Sequence, residues 1–245
     1  MPHLPRYTVR TSARARRVSL RVSPSGQVEV VAPPGVDAGR IDALVRDHAA
    51  WIEKQRARLA KQRALDEAEP LLPREIALRA IGETWRVEYH RADSDRVTLS
   101  ALPNHCLRIA GASDNVALCQ RALRRWLAEV ARERLVPGLA RLSHRTGLRY
   151  ARVTIRGQKT RWGSCSSRGT ISLNYKLLFL PPALVRHVLL HELCHTREMS
   201  HSPVFWAGLY SLSPDAARCR ADLRSAWRYL PRWVQAESGG PGSDA

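Results

Sequence analysis

Lysine is nearly missing from this chain. Only Lys54, Lys61, Lys159 and Lys176 are present among 40 basic residues, so arginine carries almost all of a formal net charge of +18. Such a field draws nucleic acid, anionic lipid or phosphorylated substrates. The arginines are scattered rather than massed in one tract, which is equally the pattern of solvated surface cations. Long apolar runs are missing too. The most apolar stretch, LLFLPPALVRHVLL (177–190), is too short for a bilayer and is broken by Pro181, Pro182, Arg186 and His187. MPHLPRYTVR has no apolar leader segment. The five cysteines (Cys106, Cys119, Cys165, Cys194, Cys219) are odd in number and lack the spacing of a disulfide framework. Together these absences predict a soluble, cytoplasmic protein with no membrane partner.

What is present reads as a mixed chain. Residues 7–31 alternate in character and turn at Ser23-Pro24-Ser25-Gly26, as a β-hairpin does. Asp37 then caps a helix carrying Ile41, Leu44, Val45, Ile52 and Leu59 at helical spacing. Four short strands follow between Ile76 and Ile109. Ser113 and Asp114 open a second helix, with Val116, Cys119, Leu123, Trp126, Leu127 and Val130 along one stripe, and Pro137 is expected to end or kink it. ARVTIR (151–156) and TISLN (170–174) read as strands on either side of the polar loop GQKTRWGSCSSR. A third helix starts at Pro181-Pro182. Ser202-Pro203 and Ser213-Pro214 each offer a cap followed by a proline. The expected division is 1–70 (hairpin plus helix), 71–145 (short strands and long helix), 146–235 (catalytic core) and 236–245 (a disordered tail), all within one compact unit. No internal repeat is visible.

The stretch HELCHTREMSH (191–201) places three histidines and two glutamates in eleven positions. On a helix, residues four apart share a face. His191 and His195 can therefore present two imidazole nitrogens to one ion, and Leu184 and Val188 continue that stripe inward. Glu192 is offset by about 100°, so its carboxylate can reach a water on the ion without being a ligand, the arrangement of H-E-x-x-H. A catalytic zinc needs a third protein ligand and an open position. His201 is the best candidate, because Ser202-Pro203 marks a new helix start and a chain reversal there can return His201 to the ion. Two plain helix histidines with a surface glutamate, or a closed Cys/His zinc site recruiting Cys165, are the alternatives. Cys194 lies off the metal face.

GQKTRWGSCSSRGTISLNYKLLFLPPALVRHVLLHELCHTREMSHSPVFW resembles the YgjP-like family of zinc metallohydrolases, through RWGSCS followed by HELCH and HSPVFW. The resemblance runs from YTVRTSARARRVSLRVSP through APPGV to the terminal helices. It implies that His191, His195 and His201 bind Zn2+, that Glu192 is catalytic, and that the fold is α+β: a zincin-like core with the H-E-x-x-H helix, preceded by a strand-rich N-terminal part. The core is similar to that of the SprT-like and WLM metalloproteases, some of which act on DNA-bound proteins. The YgjP-like family is also linked to nucleoside triphosphate pyrophosphatase activity, notably on UTP.

The expected function is thus a zinc-dependent metallopeptidase in which Glu192 activates a zinc-bound water. A nucleoside triphosphate pyrophosphatase is the alternative, and a DNA-binding module with a structural zinc is the second. In zinc peptidases of this kind an edge strand beside the active-site helix pairs with extended substrate; TISLN is the candidate. Lys159 and Arg161 are candidates for phosphate or oxyanion contacts, although the G-x-x-x-x-G-K-[ST] spacing of a phosphate loop is missing. Asn174 and Tyr175 follow the strand and are candidates for assisting the oxyanion. His187 and Glu198 read as polar neighbours of the ligands, and Trp206, Trp227 and Trp233 as packing residues.

Overall fold

The computed structural model describes residues 5–23, 26–68 and 70–235. The chain divides into two compact units, at Glu69 and Pro70. The expected tail at 236–245 lies outside the described residues.

In the first unit, β1 (Tyr7–Thr11) and β2 (Ser19–Val22) flank β3 (Val28–Ala32). β3 sits in the middle because it is the apolar strand: Val28, Val30, Val31 and Ala32 are all buried. β2 and β3 form the expected hairpin, but β1 pairs with β3 in parallel on the other side, so residues 7–31 are not a single hairpin. Asp37 caps α1 (Ala38–Asp47) by accepting from the Arg40 amide at 3.2 Å. The expected single helix breaks at His48, whose Nδ1 donates to the Leu44 carbonyl, and resumes as α2 (Ala49–Ala68). Ile41, Val45 and Ile52 close the core over β3.

The second unit begins with a four-stranded sheet. β4 (Glu75–Leu78), β5 (Glu83–Arg91), β6 (Val97–Leu102) and β7 (Cys106–Gly111) lie in the order β4-β5-β7-β6, with only β5 and β7 parallel. The Asn115 side chain, rather than Ser113 or Asp114, caps α3 (Val116–Thr146). This helix runs unbroken through Pro137 to its left-handed stop at Gly147. Proline removes one backbone donor and crowds the previous turn, yet Leu135, Leu139 and Leu142 are buried on either side of it, and that packing carries the helix on.

α3 packs against both this four-stranded sheet and a further sheet of the same unit. There β8 (Arg152–Arg156) and β9 (Gly163–Cys165) flank β10 (Thr170–Asn174), parallel and antiparallel respectively. This corrects the edge-strand expectation: TISLN is the central strand, with Ile171 and Leu173 fully buried, and β9 is an edge. A buried 3-10 turn (Tyr175–Phe179) then delivers the chain to α4 (Pro182–Cys194). Nearly every side chain of α4 from Leu184 onward is buried, so this helix is a central element of the unit. α5 (Pro203–Leu212) is capped by Ser202, which accepts from the Phe205 amide. Ser213 ends α5 rather than starting a helix, and α6 (Ala216–Leu223) begins after Pro214-Asp215. α7 (Arg232–Gln235) buries Trp233 and Val234. The fold class is α+β. Among the described residues no helix is long and apolar enough to cross a membrane, and all five cysteines are free thiols.

Candidate active site

His191 and His195 lie one turn apart on the last turns of α4, with their Nε2 atoms 3.1 Å apart. The turn after α4 is built from main-chain bonds: the amides of Arg197 and Glu198 both donate to the Cys194 carbonyl. The Glu198 carboxylate then accepts from the Ser200 amide and hydroxyl, at 3.0 and 2.6 Å. That reversal brings His201 back, placing its Nε2 3.1 Å from that of His191. The ligand nitrogens of all three histidines lie within 4.8 Å of one another.

The hydrogen bonding fits a cation at their centre. His195 Nδ1 faces the Glu198 carbonyl at 3.0 Å. A carbonyl only accepts, so Nδ1 carries the proton and Nε2 offers its lone pair inward. Burial above all, then the neighbouring histidines and Arg220, push His191 down to about 3, so it is neutral at physiological pH. Burial also lowers His195, against the pull of its bond to Glu198. A single shared proton bridges only one such nitrogen pair well, whereas a cation at the centre satisfies all three inward lone pairs at once. Tetrahedral metal–nitrogen bonds of about 2.0–2.1 Å put ligand nitrogens about 3.3 Å apart, close to the two separations found. α5 supplies the walls: Phe205 stacks on His195 with ring centres 4.5 Å apart, and Trp206 stacks on His201 at 5.5 Å.

Glu192 faces β9 and is only 5% exposed. Its Oε2 is buried with no hydrogen-bond partner. Burial pushes its carboxyl up to about 8, and Arg161 pulls in the other direction. The space beside it exists because residue 163 is glycine. A Cβ there would stand 2.8 Å from Cγ and Oε1 of Glu192.

Two openings meet at this point. The larger, about 560 Å³, is lined by Thr160–Gly163, His187, Val188, His191, Glu192, His201, Trp206, Arg220 and Leu223. The smaller, about 260 Å³, adds Ser164, Cys165, His195 and Met199. Arg161, Gly163, His191, Glu192 and His201 line both. β9 therefore runs along the cleft past the three histidines.

The other expected residues are placed as follows. Arg161 is at the cleft. Lys159 lines neither opening, though its charge reaches Lys176. Asn174 is fully buried: its Nδ2 donates to the Gln158 and Arg161 carbonyls, both at 2.8 Å, and its Oδ1 accepts from the Lys176 amide. It holds the 158–161 loop from behind and does not reach the cleft. Tyr175 packs its ring against Gly157, where a Cβ would meet Cε1 at 2.7 Å. Trp162 stacks on Trp227 with ring centres 4.1 Å apart. Cys165 lines the smaller opening and stands outside the histidine cluster. His187 is buried one turn above His191, its Nδ1 without a partner. Glu198 orients His195 through its backbone, not its carboxylate. Sequence reasoning passed over Arg220 and took Trp206 as packing. Ser213-Pro214, which marks the turn that aims α6 at the site, was the available signal for Arg220.

Residues 16–226 match the family described as YgjP-like, metallopeptidase domain. The chain belongs to the YgjP-like family. It is accordingly a metal-dependent hydrolase of the metallopeptidase type, and the residues expected from the resemblance fall at the cleft just described. Part of the chain is also similar to the crystal structure of the metallopeptidase zymogen of Pyrococcus abyssi abylysin, at 24% identity over 38% of this chain and 95% of that one, with a TM-score of 0.35. No curated protein matches the chain.

Proposed function

We propose that this protein is a zinc-dependent peptidase in which His191, His195 and His201 hold the metal and Glu192 is the general base. The observation that carries the peptide reading is β9, an edge strand running past the histidine cluster. In antiparallel pairing, alternate residues turn both backbone groups to the partner. The Asn174 amide donates to the Trp162 carbonyl and the Ser166 amide to the Thr170 carbonyl, which puts Trp162, Ser164 and Ser166 in the bonded set. Gly163 and Cys165 therefore point their N–H and C=O groups away from β10, on the open edge of the sheet. An extended peptide can add to that edge.

Zinc would supply Lewis-acid polarisation to the scissile carbonyl oxygen and to the attacking water, whose pKa such an ion brings to about 7. Glu192 takes the proton from that water, holds it in a pocket closed by Gly163, and returns it to the leaving amine nitrogen. Arg161 opposes that burial, drawing the Glu192 carboxyl back toward its ionised form, though burial prevails. The His195–Glu198 bond fixes the imidazole tautomer. Phe205 and Trp206 hold the rings in place by stacking.

The nucleotide alternative asks for several cations around a phosphate chain; of the two proposed for it only Arg161 lines the cleft, where Arg220 is the one other cation among the lining residues. The test is a paired assay of zinc-loaded wild type and Glu192→Gln. One arm follows cleavage of an unfolded protein with and without DNA; the other follows pyrophosphate release from a panel of nucleoside triphosphates. Proteolysis by wild type alone supports the reading. Pyrophosphate release by wild type alone overturns it.

A further inference from the structure

Arg220 has no role in the reaction as described, yet it lines the larger opening. Its guanidinium lies over the Trp206 ring, 4.2 Å from the centroid, and Trp206 in turn stacks on His201. Among the described residues it makes no hydrogen bond or ion pair; the nearby Asp215 is engaged by Arg218 instead. A guanidinium resting on an aromatic face is held in orientation while its N–H edge stays available, and that planar edge matches a carboxylate.

The charge around the cleft is lopsided. Arg161 and Glu192 are common to both openings and oppose one another. Beyond them the smaller opening adds no charged side chain. The larger adds one cation, Arg220, and no acid. A substrate lying along β9 thus meets a positive charge on one side of the bond to be cut and none on the other. Through Trp206 and His201, that charge stands one to three residues of extended peptide from the metal centre, at about 3.4 Å per residue.

We infer that Arg220 is a specificity-determining residue that receives a carboxylate of the substrate on the larger side of the cleft. The inference rests on the peptidase reading above. The carboxylate belongs either to an Asp or Glu side chain or to the peptide's C-terminus, since a stacked guanidinium serves both. Arg220 is exposed, so water screens the pair and the preference is modest, roughly two- to fivefold in affinity.

Binding separates this inference from the peptidase reading itself. Zinc-loaded, full-length Glu192→Gln protein is titrated with extended peptides in matched sets, and binding is followed by calorimetry. One set exchanges an internal Glu for Gln, one amidates the C-terminus, and one carries Lys in place of Glu. The acidic peptides are expected to bind roughly two- to fivefold more tightly than their neutral counterparts. Whichever neutralisation removes the advantage identifies the carboxylate. Adding Arg220→Gln should abolish the preference, and adding Arg220→Glu should turn it toward the Lys peptides. Equal affinity for acidic and neutral peptides overturns the inference, as does a preference that survives Arg220→Gln. So does a nucleoside triphosphate proving the only ligand whose affinity depends on Arg220. Failure of wild type to cleave any protein sinks the peptidase reading separately, through the paired assay.

Discussion

Gly163 lies directly against the Glu192 carboxylate: a methyl group added at residue 163 would stand 2.8 Å from both Cγ and Oε1. Real side chains do not approach so closely, so the variant must move something. The glutamate is the mobile partner, because β9 is fixed to β10 by its backbone pairing.

Gly163→Ala is therefore expected to displace the base while leaving the three histidines where they are. A displacement of about 1 Å at a catalytic group costs on the order of 100-fold in rate. Turnover should fall by that order, with bound metal per chain, measured by elemental analysis, at the wild-type level. Loss of metal in proportion to activity would refute the account.

Asn174 acts from behind the cleft. Its side chain satisfies two carbonyls of the loop that carries Arg161 and caps the turn into Lys176. Asn174→Ala leaves the buried Lys176 amide and two part-buried carbonyls without that partner, and a buried group left unsatisfied costs roughly 1–3 kcal/mol. A loss of about 1–3 kcal/mol in unfolding free energy, read by denaturant titration, is the expected outcome. A variant as stable as wild type but catalytically impaired would return Asn174 to the role of assisting the oxyanion.

These two residues also mark where the sequence ceases to be readable. The histidine cluster is a local pattern: two residues four apart on one helix, and a third placed by the Ser202 cap. Such short-range geometry survives folding almost unchanged. Gly163 against Glu192, Asn174 under the 158–161 loop and Arg220 on Trp206 join segments 13 to 29 residues apart. Nothing in the local composition specifies which segments meet. TISLN shows the limit most plainly. Its alternation marks it as a strand, but strand order depends on its neighbours, and it proved central. Pro137 taught the converse, since the buried leucines around it outweighed its usual effect on a helix.

Metal-free protein should show a pH signature of the site. The folded carboxyl of Glu192 is raised to about 8 from 4.5, so the fold favours its protonated form. The stability this contributes is present at low pH and is lost as pH rises toward 8. His191 works the other way: lowered to about 3 from 6.5, it contributes stability above 6.5 that is lost as pH falls. The two effects oppose each other below 6.5, which leaves about 6.5 to 8 as the window belonging to Glu192. Metal-free wild type should lose stability across that window, and Glu192→Gln should not. Parallel curves for the two proteins would mean that Glu192 is not buried against β9 as found.

The edge of β9 offers the sharpest separation of peptide from nucleotide substrates. The Cys165 N–H points away from β10, so proline at that position removes a donor the sheet does not use. Proline is tolerated in sheets when its missing N–H faces outward from an edge strand. Cys165→Pro should keep the fold and the bound metal, because Cys165 is outside the histidine cluster. If substrate peptides add to this edge, the lost hydrogen bond weakens their binding. At about 1 kcal/mol for a net hydrogen bond, KM should rise roughly fivefold while kcat changes less. A nucleotide would make no such main-chain pairing, so the same variant would leave its KM untouched. An unchanged KM for peptides, in a variant shown by circular dichroism to be folded, would remove β9 as the substrate strand and with it the principal support for the peptidase reading.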